Sequence, residues 1–114
     1  MDKEHRKQQI TDYKERQQTG GVYIIKNTIT GMVLLDAAPD IQAAQNRFEF
    51  AKQMNSCVTP KLKAYWDKDS AGAFTFEVLE TLDKSNTQTA EQFRDDINVL
   101  KELWRDKFSL DLLY

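Results

Sequence analysis

Two short runs of β-branched and aromatic residues, separated by turn residues, constrain this chain more than any other feature. Val22-Tyr-Ile-Ile-Lys26 reads as a strand. Asn27-Thr-Ile-Thr-Gly31 supplies turn chemistry, and Met32-Val-Leu-Leu-Asp-Ala37 reads as the returning strand. Together they predict a β-hairpin with a loop of about three to five residues. Side chains alternate along a strand, so Tyr23 faces away from Val22 and Ile24. It is expected to share a side with Ile25 only where the strand bends.

The rest of the chain reads mainly as helices around that hairpin. Residues 2–18 are polar helix formers with Ile10 and Tyr13 as the main apolar positions, a helix that needs docking to be stable. Thr19-Gly20-Gly21 is expected to end it. Asp40 is a candidate N-cap, and Ile41, Ala44, Phe48 and Ala51 recur at helical spacing, predicting a helix over 40–54. Asn55-Ser56 breaks it. Thr59-Pro60 starts a second, short helix with Leu62, Tyr65 and Trp66 on one face. Phe74-Thr-Phe-Glu-Val-Leu79 reads as a third strand, and residues 83–88 as a loop. Thr89-Ala-Glu-Gln92 matches a capping box. Phe93, Ile97, Leu100 or Val99, Trp104 and Phe108 then predict an amphipathic helix over 90–108. The apolar tail, Ser109–Tyr114, either packs back on the domain or faces a partner. The order predicts an α+β domain, a three-stranded sheet flanked by helices.

Composition narrows the chemistry. The 114 residues hold 16 basic and 18 acidic side chains, a net charge of −2, with 40% hydrophobic and 30% charged residues. That suits one soluble domain with a core. No apolar run is long enough to span a bilayer, and the N-terminal stretch lacks the apolar core of a signal peptide, so a cytoplasmic location is expected. The single cysteine, Cys57, excludes an internal disulfide framework and a CxxC metal site; the single histidine, His5, excludes a His-rich metal site. Charge is uneven: residues 21–68 carry a net +2 and residues 69–114 a net −5. The basic middle, with Lys26, Arg47, Lys52, Lys61 and Lys63, is a candidate polyanion face; chance surface asymmetry explains it as well.

Candidate chemistry is sparse. Gly20-Gly21 precedes a strand, which does not fit a phosphate loop. Cys57 has no histidine near it in sequence and reads as a structural thiol. Asp95-Asp96 invites a Mg²⁺ reading, but helix neighbours point about 100° apart, so both are not expected to ligate one ion. Tyr23 carries a hydroxyl able to relay a proton, or is a half-buried strand aromatic.

Gly21-Val22-Tyr23-Ile24-Ile25-Lys26-Asn27, followed after three residues by Gly31-Met32-Val33, resembles the opening hairpin of the GIY-YIG nuclease family. The later helices and the Phe74 strand follow in family order, so the resemblance spans residues 20–108, leaving residues 1–19 as an extra polar N-terminal helix and 109–114 as a tail. It is similar to small stand-alone bacterial members. The resemblance implies a three-stranded antiparallel sheet flanked by helices and divalent-metal-dependent hydrolysis of DNA. It implies a hairpin tyrosine as general base, a second tyrosine, a helix arginine on the phosphate, a nearby histidine, and a metal-binding glutamate on the last helix.

Carried over residue by residue, most of that set is missing. Tyr23 is kept. The second tyrosine position falls on Leu34, the following glycine on Asp36, the arginine on Ala44 and the histidine on Phe48. Arg47 stands three residues from Ala44 on a shared helix face and is the candidate substitute. The metal glutamate matches Asp96, one methylene shorter. Leu cannot pass a proton, Ala gives a phosphate no charge, and Asp36 repels it. The resemblance therefore implies a catalytically silent relative acting as a DNA- or RNA-binding or interaction module, with no cofactor. Two alternatives are a weak Mg²⁺- or Mn²⁺-dependent endonuclease using Tyr23, Arg47 and Asp96, and a protein-binding module using Leu110, Leu112, Leu113 and Tyr114.

Overall fold

A computed structural model describes residues 18–57 and 59–114. The predicted N-terminal helix, with His5, Ile10 and Tyr13, lies outside these residues except for its end. There Thr19 and Gly20 do not stop a helix but open β1 (Thr19–Asn27). The cause is tertiary: β1 pairs with β3 along its whole length, from Thr19 opposite Asp83 to Asn27 opposite Phe74. The Thr19 hydroxyl donates to the Asp83 carboxylate at 2.7 Å.

β2 (Val33–Ala38) returns antiparallel after a loop over residues 28–32, as the hairpin pattern predicts. Gly31 turns the chain at a φ of 79°, where a side chain would be strained. α1 (Ile41–Gln53) starts on Asp40, whose carboxylate accepts from the Ala43 amide at 3.0 Å. Its buried residues are Ile41, Ala44, Phe48 and Ala51, the four that helical spacing selects. After a helical turn at Pro60–Leu62 comes α2 (Lys63–Asp69). Leu62 and Trp66 are buried as expected, but Tyr65 is exposed; its ring lies 4.5 Å from that of Tyr114.

β3 (Phe74–Asp83) runs beyond the predicted Phe74–Leu79 segment because β1 offers partners along its entire edge. α3 (Ala90–Arg105) carries a complete capping box: the Gln92 amide donates to Thr89 Oγ1 at 3.1 Å and the Thr89 amide to Gln92 Oε1 at 2.9 Å. It ends before the predicted 108. Phe93 and Ile97 are buried; Leu100, Trp104 and Phe108 pack on Val22, Ile24, Val33 and Leu35, while Val99 points to water.

The sheet order is β2-β1-β3, all antiparallel. α1 and α2 cover one face through Ile25, Leu34, Phe48, Trp66 and Phe74. α3 covers the other. This is the predicted α+β architecture. The tail divides: Leu113 bridges to Val33 and the Tyr114 amide donates to the Val33 carbonyl at 2.9 Å, while Leu110 and Leu112 stay exposed. Among the described residues no helix is long and apolar enough to cross a membrane.

Candidate functional site

Strand register builds a cavity of about 180 Å³ on the α1 face of the sheet. Tyr23 pairs with Asp36 on β2, and Ile25 pairs with Leu34 on β2 and Phe76 on β3. Alternation alone brings Tyr23 and Ile25 to one side, so the bend that the sequence reading required is not needed. A register shift does occur, between Val22 and Tyr23, one step before the pocket. α1 lays Ala44, Arg47 and Phe48 over these strands, and Thr59 completes the lining. The Tyr23 ring stacks on Phe76 with centroids 4.6 Å apart, and Phe48 lies 5.6 Å from Phe76.

The pocket therefore gathers Tyr23 and Arg47 with Leu34, Asp36, Ala44 and Phe48, the four positions where the family's groups are replaced. Its floor is aromatic and aliphatic, and its polar groups are the Tyr23 hydroxyl, the Asp36 carboxylate, the Arg47 guanidinium and Thr59. Burial, then the Asp36 charge, pushes the Tyr23 pKa up to about 12; Arg47 opposes the shift, and hydrogen bonding to Asp36 adds to it. At neutral pH Tyr23 is a hydrogen-bond donor.

Asp36 is not a lone negative charge. Its Oδ1 accepts from the Ala37 amide at 2.8 Å and from Lys101 Nζ of α3 at 3.4 Å. Arg47 lines the same pocket, so two cations stand near the one carboxylate. The repulsion of a phosphate expected from Asp36 is thereby offset. Lys101 escaped the sequence reading because only the docking of α3 brings it to β2, 65 residues away. Phe76 and Thr59 were missed too; Phe76 carries a readable signal, one strand period after Phe74.

Asp96 is not brought to the pocket. It is exposed on α3, on the opposite face of the sheet, and accepts a hydrogen bond from Gln88 Nε2. Among the described residues no three His, Cys, Asp or Glu side chains cluster. On the face that α3 covers, Asp96 does not fit as the holder of a divalent ion beside Tyr23 and Arg47.

The basic candidates divide. Arg47 lines the pocket, and Lys61 and Lys63 are exposed just beyond Thr59. Lys52 is tied down, donating to the Phe74 carbonyl at 3.0 Å. Lys26 alternates with Ile25 and so points to the other face. The Cys57 thiol donates to the Thr59 carbonyl at 2.9 Å, a local structural tie.

No family model matches the chain, and no curated protein matches it significantly. Among solved structures, the catalytic domain of homing endonuclease I-TevI is similar at a TM-score of 0.59 and 23% identity. The match covers 83% of this chain and 95% of that one. A mutant of the same catalytic domain is similar at a TM-score of 0.46 and 23% identity, over 72% of this chain and 84% of that one. The first likeness establishes a GIY-YIG-like, nuclease-domain fold.

Proposed function

We propose that this chain is a nucleic-acid-binding module that keeps the nuclease-like fold and has lost phosphodiester cleavage. The observation that carries this reading is the make-up of the pocket. It holds Arg47, with Lys61 and Lys63 nearby, but sets Leu34, Ala44 and Phe48 around Tyr23. A general base must shed its proton before it can take another. Burial and the Asp36 charge push the Tyr23 pKa up to about 12, which holds the phenol protonated at neutral pH and works against that role. Asp96, the metal candidate, stands on the far side of the sheet. Losing several cooperating groups at once leaves little turnover. The neighbouring structure is named as an endonuclease's catalytic domain, which supports nucleic acid as the ligand class.

The test is a gel shift on short single- and double-stranded oligonucleotides across a salt series, run beside a plasmid-nicking assay with Mg²⁺ and Mn²⁺. The expected result is binding that weakens steeply with salt, weakens further in Lys61→Glu with Lys63→Glu, and is unaccompanied by nicking. Nicking abolished by Tyr23→Phe and by Asp96→Ala would overturn this and establish the endonuclease reading. The exposed Leu110 and Leu112 support a partner-binding reading. That reading predicts salt-insensitive behaviour and an assembly size that changes in Leu110→Ser with Leu112→Ser.

A further inference from the structure

We infer that the pocket seats one unpaired cytosine base, an inference that rests on the nucleic-acid reading and sharpens it. The cavity of about 180 Å³ is slightly larger than one of about 150 Å³ that holds benzene. It suits a single six-membered ring with its substituents more closely than a fused purine. Tyr23 and Phe76, both only partly buried, offer ring surface above the buried Phe48 for a base that has left its stack, the usual way single-stranded bases are held.

The polar groups then choose among the pyrimidines. Asp36 can only accept hydrogen bonds, and Arg47 can only donate them. Cytosine presents an amino group at one end of its pairing edge and two acceptors, N3 and O2, beside it. The amino group meets Asp36, and the acceptors meet Arg47. Uracil and thymine place a carbonyl where cytosine has its amino group, setting oxygen against the Asp36 carboxylate. Asp36 Oδ1 is already engaged by the Ala37 amide and by Lys101. The Tyr23 hydroxyl also hydrogen-bonds the Asp36 carboxylate. With these partners in place, the acceptor capacity left on Asp36 suits a single amino hydrogen better than the paired N–H groups that guanine directs at a carboxylate.

The experiment compares binding of the full chain to short oligo(dC) and oligo(dT) of equal length, at neutral pH and fixed salt. The expected result is at least about a tenfold preference for oligo(dC). Asp36→Asn, whose amide can donate as well as accept, is expected to bring the two within about twofold. Arg47→Met, at an exposed position, is expected to erase the preference even if the Asp36 variant folds poorly. Free cytidine, which has no phosphate, is expected to shift the Tyr23 and Phe76 ring resonances in an NMR titration, and inorganic phosphate is not. Equal, salt-sensitive binding of both oligonucleotides overturns the inference and leaves the nucleic-acid reading standing. Binding of neither overturns both. A response to phosphate but not to cytidine makes the pocket a phosphate site and also overturns the inference.

Discussion

Tyr23 and Asp36 face each other across β1 and β2, and the carboxylate helps hold the phenol in its protonated form. The folded-state pKa of Tyr23, about 12, lies above the ordinary value of 10.0. The stabilisation linked to it is complete below pH 10 and is lost as pH rises from about 10 towards 12. Asp36→Asn removes the charge but not the burial, which is the larger cause. The Tyr23 titration is expected to move down yet stay above 10, read as the phenolate absorbance of a Tyr23-specific difference spectrum against Tyr23→Phe.

Lys101 tests whether the charge around the pocket matters for binding. Its pair with Asp36 is partly exposed at both ends, so Lys101→Met is expected to cost less than about 1 kcal/mol of stability. Left uncompensated, Asp36 is expected to weaken oligonucleotide binding several-fold at low salt. Denaturant melts and fluorescence anisotropy separate the two effects. Unchanged affinity at low salt would count against the electrostatic role given to this pair.

Asn27 is fully buried and ties three segments together. Its side-chain amide donates to Asp69 at 2.7 Å and to the Tyr114 hydroxyl at 3.1 Å, and its carbonyl accepts from the Ile29 amide at 2.9 Å. Tyr114→Phe is expected to cost about 1 kcal/mol, one net hydrogen bond. Asn27→Asp replaces the donor to Asp69 with a second carboxylate, and about 2 kcal/mol or more is expected at pH 7. Because the two carboxylates raise each other's pKa and protonation relieves that repulsion, the Asn27→Asp deficit is expected to shrink as pH falls from 7 towards about 4. A deficit independent of pH would sink this account of the buried hub.

Gly21 pairs with Thr81 of β3 next to the register shift between Val22 and Tyr23. A Cβ there would collide with the Glu80 carbonyl oxygen and crowd Thr81. Backbone is the obstacle, so no side-chain rotation relieves it. Gly21→Ala is expected to destabilise the fold by about 2 kcal/mol. Gly31→Ala meets no neighbour, and its cost comes from the φ of 79° alone, about 1 kcal/mol. Thermal melts of the two variants should rank them in that order.

The elements of this fold are legible in the sequence because each rests on interactions between near neighbours. The Thr89–Gln92 capping box, the Asp40 cap, the Ile41-Ala44-Phe48-Ala51 face and the hairpin turn all depend on contacts within a few residues. Strand length was less legible: Thr19, Gly20 and residues 80–83 become strand because a partner lies alongside, not through their own propensity. At the site, the sequence by itself determined that Tyr23 sits on a hairpin strand and Arg47 on a helix. Tertiary structure decided that they share a pocket, that Lys101 answers the charge of Asp36, and that Asp96 stands apart from both. The reason is physical. Local patterns set which face a residue takes within its own element. Charge pairing, burial and cavity shape depend on which elements pack together, and here that joins residues dozens of positions apart.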